Sequence, residues 1–308
     1  MKPAILRMQP VFQEKIWGGN RLKTVFDYPI PSDATGECWA ISGHPGGDCM
    51  VAGTGKTLGQ LWKEQPALFG NTPGEIFPLL IKIIDAKDDL SIQVHPDDAY
   101  ARVHENGSLG KTECWYVLDC DEDATIIVGH NATSKEEMEQ MVAQGRWNEL
   151  LRQIPIRKGD FFQIDPGCLH AIKGGTLILE TQQSSDVTYR FYDYDRLQDG
   201  KPRPLHIEKS MAVTTVPFRP HTALAQCKVQ DDAKLTHLVT CPYYSVYRVE
   251  LEGEASWHWD QPFVNVSILS GSGTLDDLPV KKGDHLIIPA NYGQITIRGN
   301  LEFIYSHI

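Results

Sequence analysis

Short apolar runs and stretches of alternating apolar and polar residues recur along most of the chain, at the spacing of strands rather than helices. Residues 77–86, Phe-Pro-Leu-Leu-Ile-Lys-Ile-Ile-Asp-Ala, form a nearly continuous apolar run with one lysine, Lys82. Similar strand patterns are expected over residues 113–118, 156–165, 169–172 and 176–180, and residues 1–50 read as short strands and turns rich in Gly and Pro. Helical spacing is expected in three places. Thr57 is placed to cap a short helix through Leu58, Leu61 and Trp62, and Asp97 another through Ala101. Ser134 and Glu137 form a capping-box pattern ahead of Met138, Met141 and Val142, followed by Trp147, Leu150, Leu151 and Ile154. A helical insertion over about residues 131–154 is therefore predicted, its Met and Trp side chains serving as packing.

The strand pattern repeats. Lys281-Lys282-Gly283-Asp284 and the strand up to Pro289 echo Arg157-Lys158-Gly159-Asp160 and the strand up to Pro166. The second copy has Gly293 or Gln294 where the first has His170. The expected architecture is mainly β: two barrels, one carrying chemistry over residues 1–220 and one without ligands over residues 221–308. The boundary is expected near residues 217–230, where Pro217 and Pro220 interrupt the pattern.

Candidate chemistry concentrates in the first barrel. In an extended segment Ser91, Gln93 and His95 share one face while Leu90, Ile92 and Val94 share the other. Glu113 and His170, on two further strands, complete a set of one amide oxygen, two imidazoles and one carboxylate. That set suits a borderline divalent cation such as zinc, with manganese, cobalt or iron as geometric alternatives. Lys82 reads either as an edge position or as a cation pointing into a polar barrel. Gly53-Thr54-Gly55-Lys56-Thr57 lacks the first glycine of a phosphate loop, since Met50 stands there.

Composition narrows the function classes. The 308 residues, 41% hydrophobic and 22% charged, suit a folded chain with proper cores. A net charge of -11 argues against a nucleic-acid surface, so an anionic small molecule would need a local basic pocket. The segment Met1-Lys2-Pro3-Ala4-Ile5-Leu6-Arg7 has no apolar core of signal-peptide length, and no stretch suits a membrane span. The seven cysteines include no C-x-x-C pair. The expectation is a cytoplasmic protein with reduced thiols and no membrane or nucleic-acid partner.

The ordered pattern of Gln93-x-His95, Glu113, Gly159-Asp160, Pro166-Gly167 and His170 resembles the cupin jelly-roll barrel. More narrowly, Leu90-Ser91-Ile92-Gln93-Val94-His95-Pro96, Lys111-Thr112-Glu113-Cys114-Trp115-Tyr116, Gly167-Cys168-Leu169-His170-Ala171 and Tyr189-Arg190-Phe191-Tyr192-Asp193-Tyr194-Asp195-Arg196 resemble type I mannose-6-phosphate isomerases of the short bacterial form. The resemblance extends from about Trp17 to Lys209. It implies interconversion of mannose 6-phosphate and fructose 6-phosphate, with one zinc per chain held by Gln93, His95, Glu113 and His170. It implies Arg190 as the catalytic arginine and Glu180, ten residues earlier, as an active-site glutamate. Ser91, Lys111 and Arg196 would lie near the substrate phosphate, although longer members carry lysine where this chain has Arg196.

Such a reaction moves a proton between adjacent carbons through an enediol, and needs a base and a positive centre for the developing oxyanion. Zinc or Arg190 could supply the positive centre; Glu180, Lys111 or a metal-bound water could be the base. Lys111, Arg190, Arg196 and Lys82 are the cations available to a sugar phosphate. Without the resemblance, Arg190 and Arg196 read as partners of Asp193 or Asp195 on a surface loop. Rival readings are a cupin oxygenase using iron or manganese, a sugar-phosphate sensor without turnover, and a cupin glucose-6-phosphate isomerase, whose closely spaced histidines this chain lacks. A monomer or homodimer is expected.

Overall fold

The computed structural model describes residues 2–221 and 225–308, and the expected boundary at 217–230 includes positions outside that set. The first barrel is built from two antiparallel sheets. One has six strands in the order Phe161–Ile164, Glu113–Cys120, Thr176–Gln183, Leu79–Ala86, Val11–Gly19 and Thr35–Ser42. The other has five, in the order Leu151–Pro155, Thr125–His130, His170–Ile172, Ile92–Val94 and Tyr189–Tyr192. Strand alternation divides the six-stranded sheet between two cores. Trp115, Val117, Ile178 and Ile84 point inward, where they meet Ile126, Val128 and Ile172 of the opposite sheet. Cys114, Tyr116, Leu179, Ile81 and Ile83 point outward into a second core.

That outward core joins the two barrels, because it also contains Leu238, Val246, Phe263, Ile287 and Ile304. The helix Leu58–Glu64 packs there through Leu58, Leu61 and Trp62. Its start follows the sequence expectation: Thr57 accepts from the backbone N–H of Gln60, whose side chain returns to the Thr57 N–H. The outer face of the five-stranded sheet is covered by the helices Lys135–Ala143 and Trp147–Leu150, with Met138, Met141 and Leu150 buried. Ser134 caps Glu137 as expected, but the Glu137 carboxylate turns to the Thr133 N–H and hydroxyl, 2.7 and 2.6 Å away, in place of a reciprocal capping box. The helical stretch ends at Leu150: residues from Leu151 to Pro155 form a strand against Thr125–His130, so Leu151 and Ile154 do not continue the helical spacing.

The second barrel is a ten-stranded sheet whose core includes Val249, Leu286, Ile295 and Phe303. Its repeat of the first is geometric. Asp160 and Asp284 each accept from the backbone N–H three residues earlier, at 2.9 and 2.8 Å, and Gly159 and Gly283 have φ of 92° and 86°. Both turns therefore use the conformation that glycine adopts at least cost. The N-terminal strand Leu6–Gln9 pairs with His285–Ile288 of this second sheet, Leu6 opposite Ile287. The chain thus starts in one barrel before building the other.

Candidate active site

The inward face of the first barrel is polar along one band, and strand register sets the band's order. In the six-stranded sheet Trp39 lies opposite Lys82, Lys82 opposite Glu180 and Glu180 opposite Trp115. In the five-stranded sheet His170 lies opposite Gln93, and Gln93 opposite Arg190. These registers account for the contacts. The Lys82 ammonium is 3.3 Å from the Glu180 carboxylate and 5.3 Å from the centre of a Trp39 ring, while Trp115 Nε1–H donates to Glu180 at 3.1 Å. Lys82 is therefore a buried cation on a central strand, not an edge residue.

His95, Glu113 and His170 come together with candidate ligand atoms within 4.8 Å of one another. Glu113 is fully buried, its two oxygens 3.4 and 3.3 Å from Nε2 of His95 and Nε2 of His170. Each imidazole uses Nδ1–H to bind a backbone carbonyl, His95 to Val187 and His170 to Cys168, both at 2.9 Å. This fixes the tautomer and leaves both Nε2 atoms unprotonated beside Glu113, that of His95 also accepting from the Lys111 ammonium at 3.2 Å, an arrangement in which backbone carbonyls hold histidines ready for a metal. Burial first, and then the Lys111 ammonium, hold His95 down to about 3, and burial lowers His170 as well. Both rings are therefore neutral donors at ordinary pH. Burial pushes the Glu113 carboxyl up, but the Lys111 ammonium, with Nζ 2.7 Å from it, holds it well below the usual range. Neither Glu113 oxygen receives a hydrogen bond of good geometry among the described residues, which leaves lone pairs for a cation. The residues present fit a divalent metal. Gln93 stands beside them with its amide nitrogen 3.3 Å from His170 Nε2; a flip of the amide would present oxygen instead.

The loop that delivers His170 is held to the strand that delivers Gln93 and His95. Gly167 N–H donates to the His95 carbonyl at 2.9 Å, and Gly167, at φ 83°, has no room for a side chain against Thr215 Oγ1 and the Val213 carbonyl.

A cavity of about 460 Å³ opens beside this cluster. Ser91, Gln93, Lys111, Lys82, Glu180 and Arg190, all named from the sequence, line it. Leu90 lines it too, although alternation had grouped it with Ile92 and Val94; it lies outside the strand Ile92–Val94 and packs in the inner core. Arg196 is not in the cavity wall. Its guanidinium binds Asp193 at 2.5 Å and the Asp89 carbonyl, and lies over the Tyr194 ring. Sequence reasoning passed over Lys15, Trp17, Glu37 and Trp39, which line the cavity from the N-terminal strands, and Arg203. A signal was present: Glu37 and Trp39 share one face of a strand with a buried pattern throughout. Trp39 Nε1–H donates to Glu37 at 2.9 Å, and Lys15 lies 3.3 Å from it. Burial pushes the Glu37 carboxyl up, but Lys82, Lys15 and that hydrogen bond bring it down to about 2.

Comparison with known proteins decides what this arrangement belongs to. The family model for the catalytic domain of type I phosphomannose isomerase matches residues 5–123, and the one for the cupin domain of mannose-6-phosphate isomerase matches residues 234–308. The mannose-6-phosphate isomerase ManA of Bacillus subtilis is 48% identical over 311 residues, covering 98% of each chain. The chain belongs to the type I phosphomannose isomerase family. The mannose-6-phosphate isomerase of Streptococcus mutans is likewise 48% identical, with 98% of each chain covered. A crystal structure of the mannose 6-phosphate isomerase from Bacillus subtilis superposes with a TM-score of 0.97 at 48% identity, covering 99% of this chain and all of that one. The chain has the two barrels that its repeat implied, the second matching the family's cupin domain, and its His-Glu-His cluster lies in the first.

Proposed function

We propose that the chain interconverts mannose 6-phosphate and fructose 6-phosphate in the cavity beside the His95–Glu113–His170 cluster, in the cytoplasm, with zinc as the bound metal. The single observation that carries the reading is a cavity lined by Lys111, Glu180 and Arg190 that reaches the buried cluster through Lys111, whose Nζ is 2.7 Å from Glu113, in a chain 48% identical to named isomerases. All seven cysteines are unpaired, which suits a reducing compartment. Among the described residues no helix is long and apolar enough to cross a membrane.

His95, Glu113 and His170 would hold the metal, with Gln93 as fourth ligand through its amide oxygen. When bound, such a metal supplies a positive centre that polarises the carbonyl and hydroxyl oxygens of the sugar. The remaining work falls to side chains of the chain itself. Glu180 is raised by burial first and by the Glu113 carboxylate next, against the pull of Lys82 and Lys111. A carboxyl shifted toward neutrality, in a cavity wall, is suited to accept and return the proton exchanged between C1 and C2. Lys111 faces the same space and is the other candidate for that role. Arg190 is held from behind: its Nη1–H donates to the Pro204 carbonyl at 2.9 Å and its backbone N–H to His206 at 3.1 Å. Its guanidinium thereby offers fixed donors to an oxyanion without reorganising. Ser91 lines the same cavity, where its hydroxyl can donate to substrate oxygens.

A coupled assay with mannose 6-phosphate, run before and after chelation with metal content measured on the same sample, tests this. Turnover that vanishes on chelation and returns with zinc is expected. A folded, zinc-loaded sample without turnover would refute the isomerase reading.

A further inference from the structure

The cavity cations are not equivalent in how their charge is met. Lys15 is matched by Glu37, Lys82 by Glu180, and Lys111 faces Glu113. At the opposite wall the balance is different. The buried Asp193 carboxylate is shared by two guanidinium groups: Arg203 grips it through Nε and Nη2 at 2.7 and 2.6 Å, and Arg196 through Nη2 at 2.5 Å. One carboxylate between two arginines leaves a surplus positive charge, and of the two it is Arg203 that lines the cavity; Asp186, the other carboxylate near this wall, is 69% exposed and lies toward His44.

Arg190 adds to that surplus. Its Nη1 binds a neutral carbonyl, and its buried Nε has no hydrogen-bond partner among the described residues. Burial and the neighbouring Arg203 charge lower its affinity for its proton, against the pull of Asp193. The topology gives the spacing. Residues 204–206 bind the edge strand Tyr189–Tyr192, with His206 N–H donating to the Arg190 carbonyl at 2.8 Å. Across the five-stranded sheet the order is therefore His170, Gln93, Arg190 and then the segment that carries Arg203. Neighbouring strands lie about 4.8 Å apart, so the segment that follows Arg203 runs on the far side of Arg190 from Gln93 and the metal cluster, the side on which a sugar held at the cluster by its reacting carbons would place its other end.

We propose that Arg203, its guanidinium plane fixed by Asp193, is the cation that binds the substrate phosphate, in place of Arg196. The proposal rests on the isomerase reading for the identity of the sugar. A guanidinium already pinned on one edge presents its remaining N–H donors to a phosphate with little further loss of freedom. Arg196 spends its donors on Asp193 and on the Asp89 carbonyl, outside the cavity wall. No covalent step is involved.

Titration of metal-loaded protein with inorganic phosphate, alongside steady-state kinetics with mannose 6-phosphate, tests the assignment in Arg203→Met, Arg203→Lys and Arg196→Met. Loss of a charge-assisted hydrogen bond corresponds to about a ten- to hundredfold change. Arg203→Met is expected to weaken phosphate binding and raise KM by that range, with bound metal unchanged and kcat altered less than about threefold. Arg196 still neutralises Asp193 in that variant, so the buried carboxylate keeps a partner. Arg203→Lys, which retains a cation, is expected to lie between wild type and Met, and supplies the same readout should the Met variant fail to fold. Wild-type phosphate affinity and KM in both Arg203 variants would overturn the proposal, as would a larger loss in Arg196→Met. Absence of wild-type turnover would count against the isomerase reading instead, because phosphate titration reports on Arg203 without catalysis.

Discussion

Replacing Lys82 with methionine keeps most of the side-chain stem and deletes the charge between Glu180 and Glu37. In the native protein the Lys82–Glu180 pair is 3.3 Å long, with side-chain exposures of 7% and 3%. Solvent therefore cannot take over when one partner is lost. Removing one member of a buried pair destabilises by about 3–5 kcal/mol, chiefly because the remaining charge is left in a poor solvent. For a chain of 308 residues that corresponds to a fall in Tm of about 5–8 °C.

The penalty should depend on pH in a definite direction. The Glu180 carboxyl is already raised, and without Lys82 the rise grows. Between the ordinary carboxyl pKa and the raised one, the folded variant binds a proton that the unfolded chain releases. Stability then falls as pH rises through that window, so Lys82→Met should lose more against wild type at pH 8 than at pH 5.5. Scanning calorimetry at the two pH values measures this, and Lys82→Met combined with Glu180→Gln should recover much of the loss. A midpoint within about 1 °C of wild type at both pH values, against the shift expected from size scaling, or a loss equal at both, would refute the reasoning.

Other outcomes follow from the same geometry. His170→Ala should remove bound metal and activity together, whereas Arg190→Ala should keep the metal and lose turnover; metal analysis with the coupled assay separates them, and near-full activity in Arg190→Ala would contradict its catalytic role. Glu37, held to about 2, binds fewer protons folded than unfolded, so its ionised form stabilises the fold above the ordinary carboxyl range and that increment disappears as pH falls from about 4.5 toward 2. Glu37→Gln should therefore flatten the acid limb of a Tm–pH curve, and an unchanged limb would show that Glu37 is solvated.

Much of the fold and part of the site were legible in the sequence because they depend on local periodicity. Alternation put Glu113 inward and Cys114 outward, whereas Lys82 stayed open between an edge position and the barrel interior until its strand was placed against the one carrying Glu180. The Lys-Gly-Asp turns repeat because a glycine at positive φ and an aspartate capping the N–H three residues back are local requirements, met without reference to the rest of the molecule. Other features depend on residues far apart in the chain. Leu151 carries on the helical spacing of Leu150, yet pairs as a strand because Thr125–His130 offers it an edge. Leu6–Gln9 gives no local sign that Leu6 pairs with a residue as distant in the chain as Ile287. Arg196 and Arg203 carry the same charge on either side of a short loop, and periodicity cannot rank them. Both reach the Asp193 carboxylate, and only the path of the chain after it turns Arg203 into the cavity and leaves Arg196 behind. Sequence determined the metal-ligand candidates and the strand faces that carry them, since residue type and strand period are local; the tertiary structure decided which charged groups are matched and which line the cavity, Arg203 among them, since that depends on register between distant strands.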